Sequence, residues 1–119
     1  MTHEFIRDFC LNKKGVTEEF PFDKDTLVFK VMNKMFLLTS LEYLPVRINV
    51  KCDPELAIEL REKFDTVYPA FHMNKKHWNS VEDDGSIPQN EIAKMINHSY
   101  ELVVASLPQK IRTELENLQ

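Results

Sequence analysis

Two glycines in 119 residues are too few for a phosphate-cradling glycine loop, so a nucleotide-hydrolysing motif is excluded at the outset. Long apolar runs are absent as well. None approaches the roughly 20 residues that span a bilayer, and "MTHEFIRDFC" is amphipathic rather than basic-then-apolar like a signal peptide. Cysteine is scarce. Cys10 and Cys52 stand far apart among apolar neighbours, and no CxxC or HExxH spacing occurs. Two buried, reduced thiols are expected, not a disulfide. Together these absences predict a cytoplasmic protein with no membrane partner.

What is present suits one domain over residues 1–119. An apolar fraction of 43% and a charged fraction of 29% are ordinary for a globular chain, which at this size buries roughly two thirds of its unfolded surface. The net charge of −4 argues against polyanion binding by the whole surface. The charge is segregated, however. Between Thr26 and Cys52, four cations (Lys30, Lys34, Arg47, Lys51) face one acid (Glu42), giving +3 and leaving −7 for the rest.

The patterning predicts a helix from Thr2 to Lys13, with Phe5, Ile6, Phe9 and Cys10 on one side, lysines in its last turn and Gly15 just beyond. "TLVFKV" and "KMFLLT" are strands joined at Asn33, a residue tolerant of the left-handed region. "VRINVKC" alternates, with Val46, Ile48, Val50 and Cys52 facing inward and Arg47, Asn49 and Lys51 outward. Asp53 and Pro54 then open a helix striped by Leu56, Ala57, Leu60 and Phe64. Tyr68 to Val81 reads as two short strands around a turn at 74–76. Pro88 opens a long helix with Ile92, Met95, Ile96, Ser99 and Val103 on one side. Pro108 ends it or starts a separate short helix. The order helix, three strands, helix, hairpin, helix is α+β: an antiparallel sheet with helices packed on one face.

Three kinds of chemistry can be weighed. His72 and His77, five apart on a hairpin, fall short of the three or four ligands a zinc site needs, so no metal is expected. Either histidine could serve as a general base. But Cys52 falls on the inward face as an inert thiol, and the acidic pairs lie in loops, so neither an enzyme nor a cofactor is expected. The third is the outward sheet face. Arg47, Asn49 and Lys51 share it, Lys30 joins them by alternation, and Lys75 and Lys76 at the hairpin turn extend it beside His72 and His77, with Trp78 or Phe71 as a stacking surface. Cations around aromatics are what phosphate contact and base stacking require. The plain alternative is a solvated face whose cations keep the sheet soluble.

The chain resembles the MmcQ/YjbR family of small bacterial proteins over almost its whole length. The carrying segments are "EEFPFD" (18–23), "VFKVMNKMF" (28–36), "NVKCDPELA" (49–57), "LRE" (60–62), "YPAFHMNKKHWNSV" (68–81), "GSIP" (85–88) and "SYELVV" (99–104). The string from His72 to Trp78 is the most specific. The resemblance implies a fold similar to bacterial frataxin (CyaY) and a family commonly labelled DNA-binding. Asp23 and Ala70 stand where many relatives have glycine. At position 70 a side chain is expected to limit close approach to the hairpin. A frataxin-like fold also suggests iron handling through an acidic ridge. Here Glu4 and Asp8 are interleaved with Arg7, Lys13 and Lys14, so the ridge is thin. The expected function is therefore weak, salt-dependent DNA binding by Lys30, Arg47, Asn49, Lys51, His72, Lys75, Lys76, His77 and Trp78, without catalysis. A protein partner on the same face is the alternative, and a monomer is favoured.

Overall fold

The computed structural model describes residues 1–118. In chain order the elements are α1 (His3–Leu11), β1 (Val16–Glu19), β2 (Thr26–Val31), β3 (Lys34–Ser40), β4 (Arg47–Lys51), α2 (Pro54–Lys63), β5 (Val67–Pro69), β6 (Trp78–Glu82), α3 (Gln89–Ser106) and α4 (Gln109–Glu116). All six strands form one antiparallel sheet in the order β1-β2-β3-β4-β6-β5. The α+β reading holds, with one strand more than expected. "VTEE" forms β1, which pairs Val16 with Val31 and Glu19 with Val28 at the sheet edge.

Local chemistry accounts for the elements. Thr2 caps α1 by accepting the Phe5 N–H, and the helix stops at Leu11, so Lys13 and Lys14 follow it instead of lying in its last turn. The β2–β3 turn puts both Met32 (φ 48°) and Asn33 (φ 71°) in the left-handed region, as a two-residue hairpin of the right twist demands. Gly15 has φ 75°, and a Cβ there would lie 2.5 Å from a methyl of Leu115; a glycine is needed for both reasons. Asp53 caps α2 through the Glu55 and Leu56 amides, with Pro54 in its first turn. Pro108 starts a separate helix, α4.

The core lies between the sheet and the helices. Val46, Ile48, Val50 and Cys52 are all buried, as alternation requires. Ile92, Met95, Ile96, Ser99 and Val103 of α3 pack onto them. A bulge in β3 lets both Phe36 and Leu37 reach full burial: Phe29 pairs with Leu37, but Lys30 pairs with Met35. Ser99 ties α3 to two strands, its hydroxyl donating to the Phe36 carbonyl at 2.5 Å and accepting the Lys51 N–H at 2.9 Å. That pairing removes the cost of burying a hydroxyl in the core. Cys10 and Cys52 are free and buried, and burial pushes their thiols up to about 12 and about 11. Both are protonated and inert at neutral pH.

Candidate functional site

The register places Glu19, Val28, Leu38, Asn49, Ser80 and Tyr68 side by side across the sheet, on the face away from α3. Arg47 and Glu82 form one neighbouring row of that face, and Lys51 with Trp78 another. This face is not open, which corrects the expectation of a bare basic surface. Val28 is 0% exposed although it points away from the helices, and Leu38 is buried too. Two loops rise beside them, residues 20–25 before β2 and residues 70–77 between β5 and β6. The result is a cleft of about 420 Å³ with Leu38, Met35, Arg47 and Asn49 in its lining and Phe22 and His72 at its walls. A smaller depression of about 90 Å³ continues it beneath Phe71, sharing Arg47, Asn49 and His72.

Each wall is fixed by local hydrogen bonding. Asp23 accepts the Asp25 and Thr26 N–H groups at 2.8 and 2.7 Å and the Thr26 hydroxyl at 3.1 Å, an Asx turn that sets the loop. These donors hold the Asp23 carboxyl below its usual range. Opposite, Asn74 closes the hairpin tip by accepting the Lys76, His77 and Trp78 amides. Arg61 of α2 donates to the Lys75 carbonyl and braces the tip from behind. The walls carry Phe22 and Phe71, which are 64% and 66% exposed. Lys75 Nζ lies 5.4 Å from the Phe71 ring centroid, so a cation and an aromatic face stand together on the rim.

The floor is polar and tightly wired. Arg47 lies over the Tyr43 ring at 3.9 Å and donates to the Tyr68 hydroxyl at 3.4 Å. Tyr68 in turn donates to Glu82 at 2.6 Å, and Tyr43 donates to the same oxygen at 3.3 Å. Burial, followed by the bond to Glu82, pushes the Tyr68 phenol above its ordinary range, so it stays a donor at neutral pH. Asn49 accepts from Ser80 through Oδ1. Its Nδ2 is left as a donor toward the cleft.

The nine expected residues divide. Arg47, Asn49 and His72 line the cleft. Lys51 and Trp78 share the face one row away, and Lys75 and Lys76 stand exposed at the hairpin tip. His77 ends the loop, its carbonyl accepting the Cys52 N–H at 2.7 Å. Lys30 is on the expected face but is ion-paired with Glu19 at 3.0 Å, so it is a poor phosphate contact. Ala70 corrects another expectation: it is 1% exposed, and its side chain points into the protein, not toward an approaching ligand. Among the described residues no three His, Cys, Asp or Glu side chains come together as a metal site, and no helix is long and apolar enough to cross a membrane. Sequence reasoning missed Phe22, Met35, Tyr43 and Tyr68. Exposed phenylalanine beside a proline, in "FPF", was the one signal available for the first.

The comparisons with known proteins agree with one another. The family model for YjbR matches residues 11–102. The chain is 33% identical to uncharacterized protein YjbR of Escherichia coli (strain K12), over 99% of this chain and 100% of that protein. It is 35% identical to uncharacterized protein YbdF of Escherichia coli O157:H7, over 91% of this chain and 88% of that one. Among solved structures, Deinococcus radiodurans protein DR2400 is similar with a TM-score of 0.92 at 36% identity, covering 97% of this chain and 88% of its own. A Pseudomonas syringae protein is similar with a TM-score of 0.73 at 30% identity, covering 86% and 98%. With a matching family model across most of its length and relatives aligned end to end, the chain belongs to the YjbR family.

Proposed function

We propose that the cleft face binds nucleic acid without catalysing a reaction on it, and that it prefers a single strand to a duplex. The observation that carries this reading is the rim itself: exposed Phe22 and Phe71 across a concave floor, with Lys75 beside the second ring. Unpaired bases offer π-faces to stack on, and a cleft between two loops admits a splayed base but not a duplex. Arg47 and the Nδ2 of Asn49 supply donors to base edges from the floor. Lys51, Lys75 and Lys76, which have no carboxylate partner among the described residues, supply phosphate contacts. With few phosphates neutralised, affinity in physiological salt falls at about 10⁻⁴ to 10⁻⁶ M.

Fluorescence anisotropy of labelled single- and double-stranded oligonucleotides, at about 20 mM salt where phosphate attraction is little screened, tests the reading. Saturable binding that is tighter for the single strand, and that is lost on Arg47→Glu with Lys51→Glu, is the expected result. A folded double variant that binds as the parent does overturns it.

One observation favours a protein partner instead. Leu44 is 76% exposed on the β3–β4 connection, the same connection that carries Tyr43 against Arg47. With Phe22 and Phe71 it adds to the apolar surface exposed on this side of the molecule. That reading predicts a complex that survives salt concentrations at which an oligonucleotide dissociates.

A further inference from the structure

Arg47 and Glu82 stand directly opposite each other on β4 and β6. Opposite charges at such a cross-strand position attract, and on the same face Lys30 and Glu19 close to 3.0 Å. Arg47 and Glu82 do not close: among the described residues Arg47 is in no ion pair. Two tyrosines intervene. The Tyr68 hydroxyl, from β5, accepts from Arg47 Nη1 at 3.4 Å and donates to Glu82 Oε1 at 2.6 Å. Tyr43 lays its ring against the guanidinium, 3.9 Å from Cζ, and donates its own hydroxyl to the same Oε1 at 3.3 Å.

The guanidinium is thus held from two sides without direct contact with the acid, and its charge stays available to the cleft that Arg47 lines. The Tyr68 ring reaches the rim as well, packing on Phe71 with centroids 5.8 Å apart. Through two phenols, one carboxylate is linked to two of the groups assigned to ligand contact, Arg47 on the floor and Phe71 on the wall.

We infer that Glu82 is a positioning residue for single-strand binding: it holds Tyr43 and Tyr68 so that Arg47 and Phe71 are set in place before the ligand arrives. This rests on the cleft reading above, and it reverses the usual sign of an acid on a phosphate-binding face. A carboxylate that only repelled phosphate would weaken binding, and any substitution that removed its charge would tighten it. A carboxylate that orders the site reduces the side-chain ordering that binding would otherwise require. What matters is then its ability to accept hydrogen bonds, not its charge.

The test compares Glu82→Leu, Glu82→Gln and the pair Tyr43→Phe with Tyr68→Phe. It uses anisotropy of a labelled single-stranded oligonucleotide and NMR relaxation of the Arg47 Nε–H group in the free chain. Glu82→Leu should weaken binding about tenfold, the cost of ordering two loosened side chains, although the face gains positive charge. Glu82→Gln still accepts from the phenols and should bind at least as tightly as the parent. The phenylalanine pair keeps both rings, should match Glu82→Leu, and should lose nothing further when Glu82→Leu is added to it. Should Glu82→Leu not fold, the phenylalanine pair carries the same prediction. The Arg47 Nε–H should be ordered in the parent and in Glu82→Gln, and mobile in the other variants. A folded Glu82→Leu chain that binds more tightly than the parent overturns the inference. So does an Arg47 side chain equally ordered in both. A parent chain that binds no oligonucleotide overturns the cleft reading and the binding role with it, and the Arg47 resonance then decides separately whether Glu82 orders that side chain.

Discussion

On the helix side of the sheet, Phe29, Phe36, Leu37 and Ile48 are sealed beneath α1 and α3 in a continuous apolar core. On the other side, the register rows mix Glu19, Lys30, Arg47, Asn49, Lys51 and Glu82 with Val28 and Leu38. The first face is held by packing and is the same whatever surrounds the protein. The second is held by hydrogen bonds, an ion pair and two loops, and it leaves Phe22 and Phe71 in solvent. Three cations and two acids (Lys30, Arg47 and Lys51 against Glu19 and Glu82) leave that face with a net charge of only +1. The proposed binding therefore rests on shape and aromatic surface more than on raw charge, which is the physical reason to expect a preference for single strands.

The contrast makes opposite demands on stability and binding. Phe36→Ala on the helix side should cost about 3–5 kcal/mol of unfolding free energy, read as a lowered urea midpoint. If Phe36→Ala leaves that midpoint unmoved, the bulge that buries both Phe36 and Leu37 is wrongly placed. Phe22→Ala with Phe71→Ala should do the reverse. Both rings are largely exposed, so the midpoint should hold. Stacking is worth roughly 1–3 kcal/mol per base, so affinity for a single-stranded oligonucleotide should fall about thirtyfold or more. A double variant with undiminished affinity would assign binding to some other surface.

How far these two faces were legible in the sequence differs for the same reason. The inward face follows from alternation alone: Val46, Ile48, Val50 and Cys52 at every second position could only be a half-buried strand, and α3 announces its stripe at helical spacing. The outward face was legible in direction but not in consequence. Alternation put Lys30 beside Arg47 and Lys51. Its ion pair came from Glu19 in β1, a four-residue strand whose Val16 and Thr17 favour a strand but whose two carboxylates do not, and which pairs with the edge that β2 offers. The depth of the cleft was hidden as well. It depends on how an eight-residue connection after β5 and the Asx turn at Asp23 fold back over Val28 and Leu38, and loop paths are not written in periodicity. Asn79, which is buried and accepts from Arg61, gave no signal, since a polar residue in "WNSVE" reads as solvent-facing until the register turns it toward α2.

Lysines at the hairpin tip provide a smaller and more selective test. Lys75 and Lys76 are exposed, their main-chain groups bonded to the side chains of Arg61 and Asn74, and Lys75 Nζ rests over the Phe71 ring. Lys75→Ala with Lys76→Ala should leave the fold intact and flatten the dependence of log K on log salt. The slope should change by about 1.4, since each lost phosphate contact on a single strand is worth about 0.7. A slope that does not change, with affinity reduced, would mean that the tip shapes the cleft instead of touching phosphate.

The smallest effect separates the two walls of the cleft. The Phe22 wall rests on a carboxylate and the Phe71 wall on the amide and carbonyl oxygens of Asn74. Asp23 has its pKa lowered by the Asp25 and Thr26 amides. Its contribution to loop order is therefore complete above the ordinary carboxyl value, about 3.9, and is lost as pH falls through the lowered one. Asn74 has no proton to gain. Amide hydrogen exchange at Thr26 should accelerate relative to His77 as the pH is taken below about 4, once the intrinsic pH dependence is divided out. In Asp23→Asn the two walls should respond alike, because the amide oxygen still accepts and nothing titrates. Equal behaviour of Thr26 and His77 in the parent chain would show that Asp23 does not hold the wall, and the cleft would then owe its shape on that side to the Phe22 ring alone.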